Sequence, residues 1–247
     1  MASCAPDAAQ PNPCNAGYNT TPNVPFTAFN TSFRAMASYG NKLYLGTFNY
    51  SGGELWAYDA SVTSGSPWTP VAKYQDTAHP ICSGIWAGKC TGAYSIGVTE
   101  LLAWSDGLSQ KLVVGVATPA IDNYLWTYDG TTMSPFAGIP TTTSSPGPLN
   151  STTLGVLKLF APSNGQLYVG LLDLTNGFTL ITCTPADCRA GNWTTVTSNG
   201  FGNRNNAYAW SMQQVNGRTF LGTFNQDFFV TLPRGASELW YTDDGVN

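Results

Sequence analysis

Apolar and polar positions alternate along most of this chain in short runs, and one run recurs. Asn41 to Asp59, NKLYLGTFNYSGGELWAYD, returns in altered form from Gln110, from Gly165 and from Gly217. Each copy is an apolar run reaching a glycine (Gly46, Gly115, Gly170, Gly222), a polar turn, and a second apolar run. Period-two alternation bounded by Gly, Asn and Ser predicts paired antiparallel strands. A hairpin returning at a spacing of roughly 50 residues predicts a β-propeller or a similar array. No stretch keeps a 3.6-residue apolar period over three turns, so almost no helix is expected.

Each hairpin is preceded by a candidate innermost strand: Ser32 to Tyr39, Val98 to Ser105, Thr153 to Phe160 and Ala207 to Gln214. The first three are followed by a candidate outer strand, PWTPVA at Pro67, PFAGIP at Pro135 and NWTTVT at Asn192, aligned on Trp68, Phe136 and Trp193. The fourth copy stops at Asn247 before such a segment, but VPFTAF, Val24 to Phe29, stands unclaimed near the N-terminus. Ring closure removes open strand edges. The expected fold is therefore all-β: a propeller of four blades of four antiparallel strands, closed by an N-terminal strand in the last blade. Residues 1–23 read as an extended arm and 24–247 as a single domain. The rival account has further blades beyond Asn247. Three long connections, Tyr74 to Gly97, Ile139 to Ser151 and Gln226 to Ser237, are where function is first sought.

Composition narrows the partners. The net charge is −4, only 10% of residues are charged, and the Lys and Arg are scattered, without the basic patch that nucleic acid requires. No apolar run is long enough for a membrane-spanning helix. Six Cys fall in close pairs, Cys4/Cys14, Cys82/Cys90 and Cys183/Cys188. Spacing alone does not fix the pairing. One His and no C-x-x-C favour local disulfides over zinc, and so a secreted or extracellular protein. The opening MASCAPDAAQ has no apolar leader and reads as a mature form.

At the hairpin ends, Tyr241-Thr-Asp-Asp-Gly245 resembles the Asp-box turn of sialidase-type propellers, with looser versions at Asp59 and Asp129. With the LY-x-GT…ELW-x-YD pattern, the chain is similar to secreted microbial propeller-repeat proteins over roughly Phe26 to Asn247. The resemblance implies that these turns are structural; Asp59, Asp129 and Asp243 are read as bonding their own turns. In the third copy Thr184-Pro-Ala-Asp187 replaces the turn between two Cys.

Candidate chemistry is sparse. Glu54 and Glu238 repeat within ELW, which argues for a strand-surface role. Glu100, Arg34, Lys158 and Trp210 lie on candidate innermost strands, as a ligand site or as an ion-pair plug. Asn49, Thr118, Asp173 and Asn225 follow the recurring glycines; they begin turns, or they ring a channel mouth that would suit Ca²⁺ or a sugar. No other cofactor is implied. Trp86, Tyr208 and Phe228 sit in or beside long loops as candidate sugar platforms. The expected function is an extracellular propeller that binds glycan or another surface polymer, or assembles with its own copies. The alternative is a glycoside hydrolase or lyase using Glu100 with Asp173 or Asp227 as acid and base. Five N-x-Ser/Thr sequences occur, at Asn19, Asn30, Asn49, Asn150 and Asn192.

Overall fold

The computed structural model describes residues 30–49, 51–75, 82, 84–117, 124–137, 152–226 and 236–243. They belong to two compact units, Met1–Leu101 and Leu102–Asn247, so the expected single domain is described in two parts. In the first, β1 (Asn30–Tyr39), β2 (Lys42–Asn49), β3 (Glu54–Tyr58) and β4 (Trp68–Lys73) form an antiparallel meander in chain order. A 3₁₀ turn, Gly84–Trp86, follows, and β5 (Gly97–Ser105) runs on across the unit boundary.

The second unit carries β6 (Gln110–Ala117), β7 (Leu125–Tyr128) and β8 (Met133–Pro135) as one meander. The next is β9 (Thr153–Phe160), β10 (Leu167–Asp173), β11 (Thr179–Cys183) and β12 (Thr194–Thr197). The last is β13 (Asn206–Val215), β14 (Arg218–Asn225) and β15 (Leu239–Thr242). The only α-helix among the described residues is α1 (Pro185–Ala190), between β11 and β12. Among the described residues the chain is all-β, with four successive antiparallel meanders, the last of three strands. Closure of a ring through Val24 to Phe29 lies outside the described residues.

Strand register corrects one alignment. Trp56 faces Pro70, and Trp126 faces Pro135. Trp68 is opposite Tyr58 while Met133 is opposite Tyr128, so Met133 holds the place of Trp68. Phe136 comes one residue after Pro135, buried against Trp104 and Trp193. Backbone pairing, set by the strand length before the proline, overrides the match of aromatic residues.

The recurring glycines mark close approaches. A Cβ at Gly46 would stand 2.4 Å from Val98 Cγ1, and one at Gly170 would stand 3.2 Å from Ala209 Cβ. In each case the first strand of the next group passes where a side chain would project.

Beneath the first meander lies a buried polar network. Glu54 accepts from Asn30 Nδ2 (2.9 Å), Trp56 Nε1 (2.9 Å), Asn49 Nδ2 (3.2 Å) and Lys73 Nζ (2.8 Å). Asn30 Oδ1 in turn accepts from Thr47 Oγ1 and Asn49 Nδ2, both at 2.9 Å. The β13–β15 group repeats it: Glu238 accepts from Asn206 Nδ2 (2.9 Å) and Trp240 Nε1 (2.9 Å), and Asn206 Oδ1 accepts from Thr223 Oγ1 and Asn225 Nδ2. Where the first copy has Lys73, the last has Asn203, donating to Glu238 at 2.7 Å. The strand-surface reading of the two glutamates is therefore overturned: Glu54 is buried and Glu238 half-buried.

Two outcomes follow from this packing. Lys73→Met leaves a buried carboxylate without its cation and should cost about 3–5 kcal/mol in urea unfolding, with part recovered by adding Glu54→Gln. Gly46→Ala drives a methyl into Val98 and should cost about 1–3 kcal/mol by the same measurement.

Candidate functional site

The β13–β15 sheet has two unlike faces. Thr219, Leu221, Thr223 and Asn225 turn inward and are buried, while Arg218, Phe220, Gly222 and Phe224 alternate with them. Tyr208 is directly opposite Phe224. The register then slips between Ala209 and Ser211, leaving Trp210 as the extra residue of a bulge. A bulge re-aims its side chain, and Trp210 is 59% exposed.

Three rings come together there at small angles. Tyr208 and Phe224 lie 4.7 Å apart at 16°, Trp210 and Phe224 5.8 Å apart at 26°, and Tyr208 and Trp210 5.7 Å apart at 31°. Exposed Ser211 and Gln213 adjoin them on β13. Farther along, Arg218 lies 5.1 Å over the Tyr241 ring and pairs with Asp243. Near-parallel aromatic faces beside amide and hydroxyl groups can stack the apolar face of a sugar ring while hydrogen-bonding its hydroxyls.

Of the residues singled out from sequence, this shelf unites Tyr208 and Trp210 and adds Phe224, which its place after a recurring glycine could have flagged. Arg34 is exposed in β1, at the bulge corresponding to that of Trp210, while Glu100 and Lys158 are half-buried in β5 and β9. Arg34 and Glu100 belong to the first unit, Lys158 and Trp210 to the second. Trp86 is not an exposed platform: it is buried edge-on to Trp56 at 5.2 Å, with Lys73 Nζ 5.3 Å from its ring. Asp227 and Phe228 lie outside the described residues.

Asn49 and Asn225 are buried members of the polar networks, not the rim of a channel. Asp173 is buried too, accepting from Thr175 N, Asn176 N and Thr152 Oγ1. These bonds close a turn and leave no carboxylate facing solvent, so Asp173 is removed as an acid or base. Among the described residues no group of three or more His, Cys, Asp or Glu side chains is placed to hold a metal ion. Cys82–Cys90 and Cys183–Cys188 are disulfides; Cys4 and Cys14 fall outside the description.

A cleft of about 560 Å³ in the second unit is lined by Trp104, Asp106, Lys111, Asp129, Phe136 and Arg189, among others. Its two carboxyls are already committed. Burial pushes Asp106 up, but Lys111 and the Ser109 and Leu108 amides outweigh it and hold the group at about 2. The Thr132 amide, with the Thr131 hydroxyl and amide, brings Asp129 to about 2. Two carboxylates that both stay ionised do not supply the protonated acid that glycoside cleavage uses.

No family model and no curated protein matches the chain. Among solved structures, the polysaccharide lyase Uly1 is similar over 90% of this chain and 54% of its own, at 11% identity and a TM-score of 0.50. The chain thus spans about half the length of that lyase. The catalytic domain of a Coprinopsis cinerea GH62 α-L-arabinofuranosidase is similar over 93% of this chain and 68% of its own, at 11% identity and a TM-score of 0.47. At such identity the lyase likeness speaks to the fold alone.

Acid titration tests the turn role of Asp129. A carboxyl near 3.8 in the unfolded chain and about 2 in the folded one adds stability above pH 3.8 that is lost as pH falls toward 2. Thermal melts of Asp129→Asn should therefore show a flatter loss across that window than wild type. Parallel curves would remove the assignment.

Proposed function

We propose that this protein is an extracellular β-propeller that binds glycan without cleaving it, through the Tyr208–Trp210–Phe224 shelf. The observation that carries the reading is the re-aimed, exposed Trp210, near-parallel to a partner ring on the outward side of a sheet whose other side is core. The site lies on strands β13 and β14, where the sequence reading looked first to the long loops. The two disulfides suit an oxidising compartment, and among the described residues no helix is long and apolar enough to cross a membrane. The neighbour that shares the fold is named for its action on polysaccharide, which accords with this ligand class.

The same proposal takes the four strand groups as four blades, the last completed by Val24 to Phe29. Arg34, Glu100 and Lys158 are kept as polar ligand contacts. The aromatic rings carry more of the affinity, because an exposed charge keeps most of its hydration when a neutral sugar binds.

A glycan array of the wild-type chain, followed by titration calorimetry on the best hit, tests this. Trp210→Ala should weaken binding about tenfold, the worth of one stacked ring, with unchanged far-UV circular dichroism. Glu100→Gln should leave no trace of lost product, because none forms. A silent array, or Trp210→Ala binding as wild type does, sinks the proposal. Concentration-dependent light scattering abolished by Trp210→Ala would reassign the shelf to contact between copies.

A further inference from the structure

The cleft of the second unit that holds Asp106, Asp129 and Arg189 has the make-up of a binding site, although its carboxylates do not suit cleavage. Two turns and a helix fix its charged groups. Asp106 closes the β5–β6 turn by accepting from the Leu108 and Ser109 amides (2.9 and 2.8 Å), and it pairs with Lys111 at 2.8 Å. Asp129 closes the β7–β8 turn by accepting from Thr131 N (2.9 Å), Thr131 Oγ1 (2.8 Å) and Thr132 N (2.7 Å). Arg189 stands in the last turn of α1, which the buried Cys183–Cys188 disulfide ties to β11. Its Nη1 lies close over Gly107, where an added Cβ would come within 3.3 Å of it. Groups held in place this way need little ordering when a ligand arrives.

Bonding capacity is left over in the cleft. All three bonds to Asp129 end on Oδ1, so among the described residues Oδ2 accepts none. The exposed Arg189 guanidinium has no hydrogen bond or ion pair among the described residues. The hydroxyls of Thr127, Thr132 and Ser134 are likewise unbonded there, and Thr127 faces Ser134 across the β7–β8 ladder. Thus α1 supplies a donor, the β7–β8 hairpin supplies an acceptor, and the hydroxyls can act as either. Trp104, Pro135 and Phe136 add apolar surface. Lys111 and Arg189 balance Asp106 and Asp129, so the cleft carries both signs and no net charge. Its volume of about 560 Å³ falls in the range of small-ligand sites, roughly 300–1,000 Å³.

We propose that this cleft is a second saccharide site, taking a short neutral stretch of glycan whose hydroxyls receive hydrogen bonds from Arg189 and give them to Asp129 Oδ2. A neutral sugar matches it because sugar hydroxyls both donate and accept, and because a balanced set of charges gains nothing from a charged ligand. The cleft shares no residue with the Tyr208–Trp210–Phe224 shelf, so one chain holds polysaccharide at two places and gains avidity for a polymer over a short fragment.

Nitrogen-15 NMR titration of the full-length chain tests this, in wild type and in Trp210→Ala, with cellotriose, mannotriose, xylotriose and trigalacturonate as probes. At least one neutral trisaccharide should shift the Leu108, Thr127 and Ser134 amide signals, and should still do so in Trp210→Ala. Arg189→Ala should weaken that binding about tenfold, the worth of a hydrogen bond from a charged donor. Ser134→Trp, which fills the cleft from an exposed position, should abolish it with unchanged circular dichroism. Shifts confined to Tyr208, Trp210 and Phe224, and lost in Trp210→Ala, would overturn the second site and leave the shelf standing. Shifts confined to the cleft in wild type would uphold the second site and remove the shelf. Tightest binding of trigalacturonate, a titration unmoved by Arg189→Ala, or no cleft shift with any of the four sugars would each overturn the inference.

Discussion

The Glu54 carboxylate sets the terms for the first meander. Burying a charge is costly unless every lone pair finds a donor, and here the donors come from four strands: Asn30 on β1, Asn49 on β2, Trp56 on β3 and Lys73 on β4. A slip of any strand by one residue would withdraw a donor and turn its apolar set outward. Apolar packing draws the strands together. The carboxylate decides which residues stand side by side.

The last group keeps this plan with one exchange. Burial raises the Glu238 carboxyl, but Asn203, Asn206 and Trp240 outweigh it and leave the group below its usual range. Three neutral donors suffice because Glu238 retains contact with solvent, whereas fully enclosed Glu54 has a cation. The bulge is handled with similar economy. One backbone irregularity carries Arg34 in β1 and Trp210 in β13, so a single scaffold offers a charge in one copy and an aromatic ring in another.

Much of the fold was legible in the residue pattern. Alternation and recurring glycines marked the hairpins, and the aromatic-led segments marked β4 and β12. The networks were also in view, since Asn, Thr and Asn recur with the same separations at 30, 47, 49 and at 206, 223, 225. Polarity alone suggests exposure and so puts Glu54 and Glu238 on the surface and Asn49 and Asn225 on a channel rim, whereas their mutual hydrogen bonds draw them inward. Trp86 is a related case: a long loop suggests solvent, yet this one folds back, with the Lys73 amide bonded to Lys89 O. At the site, Tyr208 and Trp210 were legible as candidates. Their meeting with Phe224 was not, because it depends on a register and a bulge that residue identity alone does not reveal.

The networks also bear on where this chain can be made. Asn30 and Asn49 each head an Asn-x-Ser sequence that oligosaccharide-transferring enzymes read on emerging polypeptides. A sugar joined to either Nδ2 would remove hydrogens that Glu54 receives and would need space that the closed interior does not offer. Asn192, exposed beyond α1, carries no such conflict. Folding in a glycosylating cell is thus a race at two asparagines, and the native protein descends only from molecules in which both escaped decoration.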